Sequence, residues 1–367
     1  MKVNVITRHA ISNYGSLLQA LATQKVIESF DCECQILNYI PEDENYKNIS
    51  KTLLKKNIKW NKNFLYRIIY LLLQFPEYYF SGKFFEKNRK RVLNLTQVFT
   101  AQKDLENYLP TSDVFCTGSD QVWGPISNNL YDSAYFLNFV KTNNRKIAYA
   151  ASFGKTNFDQ NLKQTYKNLL KNYDDITVRE DSASTIVKEL TDKTPKLVLD
   201  PTLLLDSVEW SRLISLNKNK KYVLIYQLHK NKMMDEYAKN YAKKAHLPLI
   251  RISASFHQII RSGKFKYLPN ISNFLSFIKN AECLITDSFH GTAFAINFGV
   301  QFIDILPEET KTRNQSLLRL TGLTDRILQN FEDYSFIYKT IDYEPVNKII
   351  EKERVNSKKI FKSLIFD

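Results

Sequence analysis

Short apolar runs alternate with longer stretches of helical period through most of this chain. Residues 3–7 alternate as a strand. Residues 16–30 place Leu17, Leu18, Leu21, Val26 and Ile27 at helical positions, and 34–37 form the next strand. The alternation resumes with strands at 113–117, 146–150, 176–178 and 197–199, the later ones separated by helices at about 157–172 and 181–190. A second series begins near residue 220, with strands at 222–226, 248–252, 283–286 and 301–305. Helices at 231–245, 272–280 and 291–298 separate them, and the chain closes with helices near 313–320 and 345–364. Strands spaced by helices of this length imply parallel pairing through right-handed crossovers. The expected fold class is α/β, with two Rossmann-like domains facing each other across a cleft. Residues 1–205 form the first, with a basic helical insertion at about 42–108, and 206–340 the second. The helix in 341–367 is expected to pack back toward the first domain. No internal repeat accompanies this pattern, so the division rests on periodicity.

Composition changes the picture at one place. The 367 residues suffice for two cores, and 44% hydrophobic with 25% charged residues is ordinary for globular chains. Four scattered cysteines lack zinc-ligand spacing and read as reduced thiols of a cytoplasmic protein. The alternating N-terminus does not look like a signal peptide. The net charge is +14, and most of the excess lies between residues 51 and 91, where eleven basic residues face only Glu77 and Glu86. Between two basic clusters sits the apolar, aromatic stretch 64–75, too short to span a bilayer, which takes roughly 20 apolar residues. Basic flanks around such a stretch suit a segment lying on an anionic membrane surface. The alternative is a core helix with a solvated basic face. No nucleic-acid-binding motif accompanies the charge, so no nucleic acid partner is expected.

Candidate chemistry gathers where strands end. Cys283-Leu284-Ile285-Thr286 runs into Asp287-Ser288-Phe289-His290-Gly291-Thr292. In an open α/β sheet such a junction faces the crevice at the strands' carboxyl ends. Helix amides there favour an anion, and an imidazole beside an anion suits proton transfer. The alternative is a buried histidine bonded to backbone. After the first strand, Asn13-Tyr14-Gly15-Ser16 with Gln19 is either a turn and helix cap or a ligand-contacting loop. Gly118-Ser119-Asp120-Gln121-Val122-Trp123 offers close backbone approach and a carboxylate able to accept a hydroxyl proton, or else a helix cap. Ser152 and Gly154 end another strand. Arg179 follows a strand and can clamp a phosphate or carboxylate, or pair with Glu180 or Asp181.

Together and in this order, these segments resemble the polysaccharide pyruvyl transferase family. Val178-Arg179-Glu180-Asp181-Ser182, Leu199-Asp200-Pro201-Thr202, Arg313-Asn314-Gln315-Ser316-Leu317-Leu318 and Gly322-Leu323-Thr324-Asp325-Arg326 complete the match, which spans about residues 3–330 outside the basic insertion. The resemblance implies a fold similar to the GT-B glycosyltransferases. It also implies transfer of the enolpyruvyl carbons of phosphoenolpyruvate onto two hydroxyls of one sugar, giving a cyclic ketal and phosphate. Such reactions serve capsule, exopolysaccharide or cell-wall polymer synthesis. Phosphoenolpyruvate is a co-substrate, and no cofactor or metal is implied. A lipid-linked acceptor would place the chain peripherally at the inner face of the cell membrane.

The resemblance makes His290 the general acid or base and has Arg179 hold the donor's anionic groups; from the residues' own chemistry, Asp120 is the candidate acceptor of a hydroxyl proton. Donor contacts fall to Arg179, Ser288, Gly291, Thr292, Arg313 and Ser152. Acceptor or cleft contacts fall to Asn13, Tyr14, Gly15, Gln19, Ser119 and Trp123. Some family members carry an arginine two residues before the histidine, where this chain has Ser288. Either another cation substitutes, with Arg313 or Lys155 as candidates, or the donor differs. A glycosyltransferase using a nucleotide sugar and a non-catalytic scaffold are the competing readings.

Overall fold

The computed structural model describes residues 1–125, 131–141, 143–154, 160–215, 221–308 and 311–367. The start of the helix expected at about 157–172, residues 216–220 just before the second series of strands, and Lys155 lie outside these described residues. The chain divides into two compact units, residues 1–201 with 357–367, and residues 202–356.

The first unit holds a parallel sheet of seven strands: β1 (Lys2–Ile6), β2 (Glu33–Tyr39), β3 (Leu95–Phe99), β4 (Val114–Thr117), β5 (Arg145–Ala151), β6 (Asp175–Val178) and β7 (Lys196–Leu197). Their order is β3-β2-β1-β4-β5-β6-β7. Its helices are α1 (Tyr14–Glu28), α2 (Ile49–Lys56), α3 (Phe64–Val92), α4 (Gln102–Asn107), α5 (Lys163–Leu170) and α6 (Asp181–Thr191). The central strand β1 is buried on both faces, Asn4 included, as parallel sheets covered by helices require. Asn4 tolerates this by donating to the carbonyls of Pro110 and Thr111.

The short α7 (Pro201–Leu204) straddles the boundary between the units, and α8 (Ser207–Ser211) follows it. The second unit has a parallel five-stranded sheet: β8 (Val223–Tyr226), β9 (Leu249–Ser253), β10 (Lys264–Tyr267), β11 (Cys283–Thr286) and β12 (Gln301–Asp304). Their order is β10-β9-β8-β11-β12. The intervening helices are α9 (Lys232–Lys244), α10 (Ile271–Lys279), α11 (Phe289–Phe298) and α12 (Lys311–Thr321). The last helix, α13 (Tyr343–Phe366), begins in the second unit, where Arg354 donates to the carbonyl of Leu203 at 2.8 Å. Its end belongs to the first unit, where Phe361 stacks on Tyr149 at 3.8 Å and Ser357 accepts from the Leu199 amide.

Three elements differ from the sequence expectation. The 42–108 stretch is not purely helical, because it also holds β3, which pairs in parallel with β2. Helices α2 and α3 are therefore part of one long crossover between neighbouring strands. β3 escaped notice because it is an edge strand with weak alternation and Val98 54% exposed. β10 was hidden in the same way, by lysines alternating with half-buried aromatics. α11 starts at Phe289, so His290 lies inside the helix's first turn rather than before it.

Candidate functional site

In each sheet one pair of adjacent strands sends its connections in opposite directions. These pairs are β1 with β4 and β8 with β11. Outside the carboxyl ends of such a pair lies the crevice where open α/β sheets bind ligands. The residues singled out from sequence fall mainly at these two places, one in each unit.

At the first, Arg179 forms a buried hub. Its Nη1 donates to Asp200 Oδ2 at 2.6 Å and to Ser119 Oγ at 3.2 Å, and its Nη2 to Asp120 Oδ1 at 3.2 Å. Nε lies 3.6 Å from Glu180 Oε2. The arginine side chain is 1% exposed. Burial works against its charge, but Asp200, Asp120 and Glu180 outweigh that and hold its pKa above the ordinary value. Hydroxyls complete the cluster: Ser119 bonds Asp200, Ser16 bonds Asp120 and Ser152 bonds Glu180, at 2.9, 2.7 and 2.7 Å. Asp120 sits at φ 78°, a left-handed conformation that aspartate adopts more readily than most residues.

This geometry assigns positions that the sequence left open. The guanidinium is enclosed by three carboxyl groups, so an incoming anion would have to displace at least one of them. Asp120 accepts from both Arg179 and Ser16, and Ser152 is fully buried against Glu180. Trp123, expected at the cleft, is instead a core residue with no exposure, packed against Phe136, Phe153 and Tyr173. Tyr14 packs edge-on against Phe85, and Gln19 reaches back to Thr7 Oγ1 at 2.8 Å. Tyr14, Gln19 and Ser119 are all buried and shape the strand ends from beneath. Asn13 remains half-buried at the surface, where Oδ1 caps α1 by accepting from the Gly15 amide at 2.7 Å.

At the second place, Ser288 caps α11, its Oγ accepting from the Gly291 amide at 3.3 Å. His290 follows in the first turn, 5% exposed, its ring edge-on to Phe289 at 5.2 Å. The Arg313 guanidinium reaches over from α12 to lie 5.7 Å from the Phe289 ring centre. Gly291 is required by close approach, since a Cβ there would stand 2.6 Å from Thr286 Oγ1 and 3.2 Å from Tyr226. Thr292 donates to Asp304 Oδ2 at 2.9 Å, and Asn314 donates to the same oxygen at 2.8 Å. Asp304 is wholly buried, which pushes its pKa up to about 7 despite those two hydrogen bonds. Ser288, His290, Gly291, Thr292 and Arg313 are thus gathered around one helix start.

Sequence reasoning missed a histidine–carboxylate pair beside them. Asp287, 4% exposed, accepts the amides of Leu228 and His229 at 2.7 and 2.8 Å, and its Oδ2 lies 3.1 Å from His229 Nδ1. The imidazole itself is 53% exposed. Only its position just past β8 marked it. The fully buried Arg251 is a second omission, holding Gln227 and Gln258 at 2.9 and 3.1 Å and pairing with Asp235. Among the described residues no group of three His, Cys, Asp or Glu side chains is placed to hold a metal ion. A hollow of about 530 Å³ in the first unit, lined by Arg145, Asp175 and Lys196, lies at the amino ends of β5, β6 and β7, away from both switch points.

No curated protein matches the chain. Among solved structures, S. aureus MnaA bound to UDP superposes with a TM-score of 0.52 at 11% identity, over 97% of this chain and 90% of that one. The UDP-GlcNAc 2-epimerase of Methanocaldococcus jannaschii, in complex with UDP-GlcNAc and UDP, gives 0.50 at 15% identity over all of both chains. The glycotransferase of kitacinnamycin gives 0.50 at 9% identity, over 99% of each. At such identities the likeness is one of fold, that of the GT-B glycosyltransferases and the sugar-nucleotide epimerases. The family model described as Polysaccharide pyruvyl transferase matches residues 13–307, which include β4, β8 and β11 and the residues named at the strand ends from Asn13 to Asp304. The chain belongs to the polysaccharide pyruvyl transferase family.

Proposed function

We propose that this protein transfers the enolpyruvyl group of phosphoenolpyruvate to two hydroxyls of one sugar, forming a cyclic pyruvate ketal on a surface polysaccharide or its lipid-linked precursor. The observation that carries this reading is the position of His290 in the first turn of α11, at the second unit's switch point, in a chain of this family. The donor is an anion. Helix amides, the Ser288 hydroxyl and the nearby Arg313 offer it hydrogen bonds and charge. Arg313 supports the view that a guanidinium from α12 stands in for the one missing at Ser288.

Protonated His290 gives its proton to the methylene carbon, which becomes a methyl group. The adjacent carbon, left electron-poor, takes one sugar oxygen. The second sugar oxygen then displaces phosphate from that carbon and closes the ketal. Two hydroxyl protons are released: one returns His290 to its protonated form and the other leaves on phosphate. His229, half-exposed and oriented by Asp287, is suited to receive such a proton.

The test is phosphate release from phosphoenolpyruvate with a panel of lipid-linked and synthetic glycosides, beside a panel of nucleotide sugars. Phosphate release that falls by about 10²–10⁴-fold in His290→Ala supports the reading. Release of a nucleoside diphosphate instead would make the protein a glycosyltransferase.

A further inference from the structure

The two halves of α3 are held differently. The second half is anchored to the first unit: Phe85 packs on Tyr14, Glu86 accepts from the Tyr46 hydroxyl at 2.9 Å, and Arg89 donates to the Ala10 carbonyl at 3.0 Å. Gly82 allows Tyr46 to lie directly against the helix, where any side chain would collide with its ring. The first half has a different surface. Phe64 is 77% exposed, Leu65 64%, Leu72 69% and Leu73 59%, and Ile58 just before the helix is 87% exposed. Phe64, Ile68, Leu72 and Phe75 fall at i, i+4, i+8 and i+11, a single apolar stripe along the helix.

The charge around this stripe has one sign. Between residues 45 and 76 there is no aspartate or glutamate, while seven lysines and arginines are present and all are exposed. Lys55 and Lys56 end α2, Lys59 and Lys62 lie in the turn before α3, and Arg67 is in its first turn. Beyond the stripe, Lys83, Lys87, Lys90 and Arg91 add an exposed basic group. A protein partner with an apolar groove would account for the stripe but not for a ring of like charges left in water. No helix among the described residues is long and apolar enough to cross a membrane.

We propose that the first half of α3, together with α2, docks on an anionic lipid bilayer, with the stripe of Phe64, Ile68, Leu72 and Phe75 entering the headgroup–acyl boundary. The surrounding lysines and Arg67 face acidic headgroups, which attract each cation while the apolar side chains leave water. The inference rests on this surface alone and not on the reaction proposed above.

The full-length protein is sedimented with phosphatidylcholine vesicles and with vesicles that also contain phosphatidylglycerol. The bound-to-free ratio is expected to be at least about tenfold higher on the anionic vesicles and to fall as salt is raised. Phe64→Ser with Leu72→Ser, and separately Lys55→Gln with Lys59→Gln, should each lower it by about tenfold. Both pairs replace exposed side chains, so thermal unfolding should match the parent. Absence of retention, or equal retention on both vesicle types, overturns the proposal. So does a dimer in solution that Phe64→Ser with Leu72→Ser converts to monomer, because the surface would then cover a second copy of the chain.

Discussion

Arg179 Nη1 donates to Asp200 Oδ2 at 2.6 Å, and neither side chain is more than 1% exposed. The pair lies among Asp120, Glu180 and Ser119, so removing the arginine would leave three carboxyl groups buried together without their cation. Arg179→Ala should lower the stability of the first unit by roughly 3–5 kcal/mol, the usual cost of breaking a buried ion pair from one side. Arg179→Lys should recover part of this, since one ammonium cannot reproduce the fork that reaches Asp200 and Asp120. Urea unfolding of the two variants measures it. If Arg179 instead grips the donor, the lysine variant will keep its unfolding midpoint and raise only the KM for phosphoenolpyruvate.

His9 makes the first unit sensitive to acid. Its Nε2 donates to the Leu37 carbonyl at 3.1 Å, and the ring is entirely buried. Burial, together with the charge of Arg89, lowers its pKa to about 3 from an ordinary 6.5. Between those values the unfolded chain binds a proton that the folded chain refuses, so stability is full above pH 6.5 and is lost as pH falls toward 3. His9→Gln keeps a side-chain donor and does not titrate. Its unfolding midpoint should therefore fall less steeply than the parent's below pH 6, by a difference of a few kcal/mol at pH 4.

Asp304 gives the second unit the opposite slope. Its carboxyl has a folded pKa of about 7 against an ordinary 3.8. From about pH 4 to 7 the folded chain keeps a proton that the unfolded chain releases, so this group costs stability as pH rises through that window. Oδ2 accepts from Thr292 and Asn314, while Oδ1 has no hydrogen-bond partner among the described residues. Asp304→Asn should flatten the dependence and stabilise the second unit above pH 7 by on the order of 1–4 kcal/mol. A parent and variant that unfold in parallel from pH 5 to 8 would show that Asp304 does not titrate there.

The tight packing at the start of α11 is testable without reference to charge. A methyl group at Gly291 would press on Thr286 Oγ1 and Tyr226, both belonging to the strands beneath. Gly291→Ala should destabilise the second unit by roughly 1–3 kcal/mol and lower turnover by shifting His290. An alanine variant with parental stability and turnover would mean that the helix can lift without consequence.

The alternating strands and helices were legible because parallel strands buried on both faces are continuous apolar runs, as in β4, β8 and β11. The edge strands β3 and β10 were not, because an edge buries less and permits lysine and glutamine. At the site, the positions were legible but the orientations were not. A glycine–serine–aspartate turn after a strand marks a crevice, yet whether Asp120 faces a ligand or Arg179 depends on Asp200 and Glu180, which lie 80 and 60 residues further along. Trp123 shows the same limit, since only the placement of Phe136, Phe153 and Tyr173 reveals that it belongs to the core. His229 was invisible because its partner, Asp287, is 58 residues away.

That last pair carries a prediction of its own. Asp287 accepts two backbone amides as well as His229 Nδ1, so its carboxylate is fixed before the imidazole is oriented. With Nδ1 held as the donor, the other ring nitrogen is the one available to take a proton from a sugar hydroxyl. His229→Gln should therefore lower kcat by about 10²-fold, while leaving the unfolding midpoint unchanged because the ring is half-exposed. Asp287→Asn should lower kcat to a similar degree and also destabilise the second unit, since an amide cannot accept all three donors. If His229→Gln retains the parental kcat, the pair serves only to fasten the loop after β8, and proton transfer falls to His290 alone.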